Sequence, residues 1–170
     1  MHNKRKHPTR YAPGCCGRYA ELDMDWINEA KRIFRIEKPE HFTNYTHCEE
    51  CEEHDQTLNR STIDSIGLDE LGNPGWNPIC FSSVEGKKYY MPSFIRLSLE
   101  TMHSEFYLGQ LLSCLEGDGK ENKLYCACNA EQRSFITDFI EYIILHHTEQ
   151  LEANGCEMEA LKVQGIWSNA

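Results

Sequence analysis

One long pattern of apolar residues near the C-terminal end constrains the fold of this chain more than any other feature. From residue 130 to residue 151, the residues that would share one helix face are Phe135, Ile136, Phe139, Ile140, Ile143, Ile144, His147 and Leu151. Spacings of three and four residues are typical of a helix that buries one side. Asn129 can cap its start, and Gln132 stands at the reciprocal capping-box position. We therefore expect this helix to form the centre of the core.

Weaker patterns predict shorter elements around it. Helical spacing appears at about 23–35, from Thr46 to about residue 58, and again at 92–102 and 106–115. Two short runs, 79–81 and 88–91, flank a Glu85-Gly86 turn and predict a β-hairpin, and 124–128 fits a further short strand. Pro92 suits the first position of the helix that follows. The expected fold class is α+β: a helix-dominated single domain with a small β-hairpin.

Charge and length divide the 170 residues into three parts. Residues 1–20 contain five of the 17 cations and no acid, which predicts a disordered basic N-terminal tail. Residues 21–155 are expected to form a single globular domain, and 156–170 a C-terminal extension. Outside the tail, 12 cations face 27 acids.

These totals exclude several classes of partner. An acidic body repels phosphate backbones, so we expect no nucleic-acid partner for the folded part. No stretch of about 18 apolar residues could span a membrane. No apolar run follows the basic start, so no signal peptide is visible and a cytoplasmic location is expected.

Nine cysteines in such a chain indicate reduced thiols, metal ligands or core residues rather than disulfides.

The most specific chemical feature is the run Cys48-x-x-Cys51-x-x-His54, which His47 precedes. Thiolate and imidazole are preferred donors for zinc, and residues three or four apart share a helix face. We therefore predict a metal site with zinc as the expected cofactor. Its candidate ligands are Cys48, Cys51, His54 and His47. The sequence does not choose a further ligand among Cys80, His103, Cys126 and Cys128.

Two other interpretations of the same run stay open. A Cys-x-x-Cys pair at a helix start can be a redox-active dithiol, because the helix N-terminus favours a thiolate. The neighbouring acids Glu49, Glu50, Glu52 and Glu53 oppose this, because negative charge disfavours a thiolate. In the third interpretation the cysteines are simply buried beside an exposed acidic helix face.

A resemblance can be stated on three segments. The run from His47 to Leu58, together with Leu-Gly-Asn-Pro-Gly-Trp-Asn-Pro at 71–78 and Tyr-Tyr-Met-Pro at 89–92, resembles a group of uncharacterised bacterial proteins. The resemblance covers roughly residues 25–150. It implies a bacterial, intracellular protein that stands alone as a small domain, and it supplies no catalytic residues.

Three hypotheses of function follow. In the first, the protein binds a structural zinc through Cys48, Cys51 and His54 and acts by interaction with a protein partner. In the second, it is a thiol-dependent or metal-dependent enzyme that uses the same residues. In the third, it is a metal-free helical interaction domain. The sequence predicts neither a substrate nor an oligomeric state.

Overall fold

The computed structural model describes residues 24–168, and no strand forms within that range. The fold is therefore all-α, and the predicted α+β class is wrong. The basic tail predicted at 1–20 lies outside the described residues. Ten α-helices follow one another as α1 Trp26–Ile33, α2 Glu49–Arg60, α3 Leu68–Leu71, α4 Pro78–Phe81, α5 Val84–Glu100, α6 Leu108–Glu116, α7 Lys123–Ala127, α8 Ala130–His146, α9 Thr148–Asn154 and α10 Glu157–Trp167.

The predicted β-hairpin is replaced by α4 and α5. Ser83 caps α5, and its hydroxyl accepts a hydrogen bond from the Gly86 amide at 3.1 Å. Buried residues then recur at helical spacing, as Tyr90, Phe94 and Leu97. Short aromatic runs fit a strand and a buried helix equally well, and here the helical spacing of the buried side chains decides. Pro92 lies inside α5 instead of starting it.

Gly86 has a different role from the hairpin turn expected of it. A Cβ at this position would lie 2.2 Å from Ser82 Oγ and 2.9 Å from Phe42 Cδ1. The first turn of α5 therefore packs against the chain near Phe42 more closely than any side chain would permit. This contact fixes the segment that precedes α2.

The strand predicted at 124–128 is also wrong, because this stretch forms α7. The Asn122 side chain caps that helix by accepting hydrogen bonds from the amides of Leu124 and Tyr125. The capping box of Asn129 and Gln132 at the start of α8 is confirmed. The long helix ends at His146, and Leu151 lies on α9.

Helix α8 lies in the core as expected, and it packs against α1 and α10. Trp26 of α1 makes edge-to-face contacts with Phe135 and Phe139, with ring centroids 5.7 and 5.4 Å apart. Helix α5 joins this core to α2, since the Tyr90 hydroxyl donates to the carbonyl oxygens of Leu58 and Ser61 at the end of α2. The C-terminal end of α2 is thereby anchored.

Residues 157–167, in the stretch expected to extend beyond the domain, form α10, which packs on α6 and α8. Trp167 is fully buried, and its indole Nε1 donates to the Leu115 carbonyl at 3.0 Å. Within residues 24–168, no helix has the length and apolar character that crossing a membrane requires.

The burial of Trp167 makes α10 necessary for stability. We expect Trp167→Ala to lower the free energy of unfolding by about 3–5 kcal/mol, because it leaves a large cavity in the core. Leu161→Ala on the same helix is the control. Leu161 is 49% exposed, so its loss should change stability by about 0.5 kcal/mol or less. Urea unfolding of the two variants checks this, and equal small effects would show that α10 is dispensable.

Candidate metal centre

Three of the four predicted ligands meet at the N-terminal end of α2. The sulfurs of Cys48 and Cys51 lie 3.4 Å apart, and His47 Nδ1 lies 3.7 Å from Cys51 Sγ. All three donor atoms lie within 4.8 Å of one another. His47 and Cys48 are exposed and Cys51 is buried. This group could hold a metal ion, and within residues 24–168 it is the one group of His, Cys, Asp or Glu that meets this spacing.

The start of α2 explains the convergence. The helix begins at Glu49, and Cys48 is its extended N-cap residue, with no side-chain capping bond. Thr46, where the predicted helix starts, lies before the observed helix, and its hydroxyl donates to Asn44 Oδ1 at 3.1 Å. The His47 amide donates to the Asn44 carbonyl in a tight turn. His47 and Cys48 therefore lie just before the helix, and both side chains reach Cys51 in its first turn.

His54 does not join this group. Its ring is 1% exposed and packs against Phe81 at 4.4 Å and Trp76 at 4.8 Å between ring centroids. Its Nε2 lies 3.7 Å from Glu50 Oε1 and makes no hydrogen bond. The side chains of residues three apart point in directions that differ by about 60° around a helix axis. His54 is therefore turned away from Cys51 and faces the aromatic side chains.

None of the other four candidate ligands lies in the group. Cys80, Cys126 and His103 are exposed elsewhere. Cys128 is buried, and burial raises the pKa of its thiol to about 11, which keeps it protonated near neutral pH. Residues 24–168 thus bring three donor atoms together, from His47, Cys48 and Cys51.

The two thiols of the group differ in acidity. Hydrogen bonds from the backbone and then the side chain of Cys51, followed by one from His47, lower the pKa of the Cys48 thiol. Its hydrogen bond with Cys48, burial and the negative charges of Cys48 and Glu50 raise the pKa of Cys51. Both directions favour Cys48 over Cys51 as the first thiol of the pair to lose its proton. Of the acids expected to oppose a thiolate, Glu50 acts here, and its charge raises the pKa of Cys51.

A buried carboxylate beside the group was not identified from the sequence as a functional residue. Asp55 accepts hydrogen bonds from His41, Phe42, Thr43 and Asn59. Burial alone would raise its pKa, but the bonds from His41, Thr43 and Phe42 outweigh burial and lower it. Its position was a usable signal in the sequence, because helical spacing places Asp55 on one face with Cys48 and Cys51. A carboxylate that is buried on such a face needs several hydrogen-bond partners.

No protein-family model, curated protein or solved structure matches this chain. The resemblance to a group of bacterial proteins therefore stays a prediction.

The acidity difference predicts an order of thiol reactivity. In metal-free protein, iodoacetamide should modify Cys48 faster than Cys51. As the pH is increased, the rate at Cys48 should begin to rise at a lower pH than the rate at Cys51. The reason is that the nucleophile is the thiolate, and Cys48 has the lower pKa and the exposed sulfur. Mass spectrometry of peptides across a pH series measures both rates. Buried Cys128 serves as the unreactive control, and equal rates at Cys48 and Cys51 would contradict the assignment.

Proposed function

We propose that the protein binds zinc through His47 Nδ1 and the sulfurs of Cys48 and Cys51, with one coordination position left for a ligand from outside. Zinc bonds of about 2.3 Å to sulfur and 2.0–2.1 Å to nitrogen place two sulfurs about 3.8 Å apart in a tetrahedral site. The matching sulfur–nitrogen separation is about 3.6 Å. The separations of 3.4 and 3.7 Å lie within about 0.4 Å of these values, and all three donor atoms lie within 4.8 Å of one another, which supports the proposal.

The type of donor supports zinc over harder ions. Two thiolates and an imidazole suit zinc, whereas magnesium and calcium prefer oxygen ligands. The lowered pKa of Cys48 means that one thiol releases its proton readily. Zinc then displaces the second proton from Cys51, so metal binding releases protons.

The exposure of the group supports an external fourth ligand. His47 and Cys48 face solvent, and residues 24–168 bring no fourth donor into the group. Two cavities described on these residues lie elsewhere: one is formed largely by α6 and α10, the other largely by α1 and α8. Small substrates bind in concave pockets. Because His47 and Cys48 are exposed, a donor group from a protein partner can reach the open position, in agreement with the first hypothesis.

Metal analysis tests the proposal directly. Protein purified without a metal-affinity tag or added zinc should carry or take up about one equivalent of zinc. Cys51→Ala should abolish this binding, because it removes one of three ligands. Cobalt substitution should give sulfur-to-cobalt charge-transfer absorption in the near ultraviolet.

His54→Phe is the matched control for His47→Ala. Phenylalanine preserves the ring between Trp76 and Phe81, so we expect this variant to retain zinc while His47→Ala loses affinity. A folded wild-type protein that takes up no zinc would overturn the proposal. Loss of zinc in His54→Phe but not in His47→Ala would overturn the ligand assignment.

The distance between the sulfurs favours a second candidate function, a reversible dithiol. Cys48 and Cys51 are close, and Cys48 has the lowered pKa expected of an attacking thiol. With glutathione disulfide as oxidant, the two thiols would form one S–S bond and lose two protons and two electrons. The oxidant would be reduced to two glutathione molecules.

Equilibration of metal-free protein in glutathione buffers tests this second candidate. Peptide mapping should find a Cys48–Cys51 disulfide, and one equivalent of zinc should suppress it, because both sulfurs would then bind metal. Stable glutathione adducts on Cys48, with no internal disulfide, would exclude the dithiol function.

A further inference from the structure

We infer that Asp55 is a positioning residue that holds His47 and Cys48 in binding geometry before any metal arrives. This inference rests on the proposed zinc binding and adds the device that prepares the site. Three features of the structure support it: the bonds of the Asp55 carboxylate, the link from Thr43 to Cys51, and the anchoring of Phe42.

The Asp55 carboxylate ties α2 to the segment that precedes it. The side chain is buried, and Oδ1 accepts hydrogen bonds from the amides of Phe42 and Thr43 at 2.6 and 3.0 Å. Oδ2 contacts His41 Nδ1 at 2.9 Å and accepts from Asn59 Nδ2 at 3.0 Å. Both oxygens are thus occupied, and neither belongs to the group of three donor atoms. Asp55 therefore acts on the site through the chain it holds.

Thr43 carries this restraint to the metal ligands. Its amide donates to Asp55, and its hydroxyl donates to the Cys51 carbonyl at 2.6 Å. Four residues later the chain reaches His47, followed by Cys48. A single residue thus connects the buried carboxylate, the backbone of one ligand and the segment that carries the other two.

Phe42 fixes the same segment from the opposite side. Its side chain is fully buried and packs against Tyr89 and Tyr90 of α5, at centroid distances of 5.7 and 5.2 Å. Its carbonyl accepts a hydrogen bond from the Ser83 amide at 2.6 Å. The segment is therefore held between α2 and α5, and the exposed ligands His47 and Cys48 extend from a fixed base. Groups that orient metal ligands in this way typically change metal affinity by about 10–100-fold when they are removed.

Asp55→Asn tests the inference in the full-length protein, with zinc and cobalt as probes. Asparagine retains the shape and one acceptor oxygen, but its amide N–H₂ replaces one of the oxygens to which other groups donate. We expect zinc affinity, measured by competition with a chelator, to fall about 10–100-fold. We also expect the cobalt absorption of the variant to shift or broaden, because the two sulfurs no longer occupy one geometry.

Tyr90→Phe is the control for an effect of stability alone. It removes the hydroxyl bonds to Leu58 and Ser61 at the other end of α2, so it loosens the same helix away from the ligands. At a temperature where both variants are folded, Tyr90→Phe should bind zinc within about twofold of wild type. Equal losses in the two variants, or no loss in Asp55→Asn, would overturn the inference.

A second pair of variants decides the matter if Asp55→Asn does not fold. Thr43→Val removes the hydroxyl that reaches Cys51, while Thr43→Ser keeps it. Reduced affinity in the valine variant alone supports the inference, and equal affinities overturn it. If wild-type protein binds no zinc, the proposed function fails and this inference fails with it. If wild type binds and the variants match it, the positioning role alone is wrong.

Discussion

The carboxylate of Asp55 joins the two parts of the chain that form the candidate metal-ligand group. It belongs to α2, which contributes Cys51, and it holds the segment that contributes His47 and Cys48. A buried carboxylate is costly to desolvate, and here the bonds from His41, Phe42, Thr43 and Asn59 offset that cost. The buried charge therefore needs its hydrogen-bond donors, and the carboxylate is stable only while the segment before α2 stays in place.

The core supports this arrangement at some distance. Helix α5 contacts the segment through Phe42 and the end of α2 through the Tyr90 hydroxyl. Its first turn approaches closely because Gly86 has no side chain. The candidate ligands His47 and Cys48 therefore follow a segment that contacts with the hydrophobic core hold in place.

The sequence predicted the parts of the fold that one segment determines by itself. The spacing in α8 as far as Ile143 and its Asn129 cap depend on neighbouring residues only, and both are confirmed. The hairpin prediction failed because Tyr89, Tyr90 and Met91 suit strands as well as buried helices, and the choice depends on packing against α1 and α6. Pro92 was predicted to start a helix, and this was wrong because it lies inside α5 without ending it.

In the candidate site, too, the sequence predicts what one short segment determines and misses what depends on distant residues. The sequence drew attention to His47, Cys48 and Cys51, whose convergence depends on one short stretch of chain. The orientation of His54 depends on Trp76 and Phe81, which are distant in sequence, so spacing alone could not reveal it. The role of Asp55 depends on where the chain from His41 to Thr43 lies. No periodic pattern records that position.

X-ray absorption at the zinc edge tests the central claim most directly, on full-length protein loaded with one equivalent of zinc. We predict two sulfur neighbours at about 2.3 Å, one imidazole nitrogen at about 2.0–2.1 Å and one further light atom. The imidazole scattering should disappear in His47→Ala. A zinc shell without sulfur, or one with three or more sulfurs, would contradict the account.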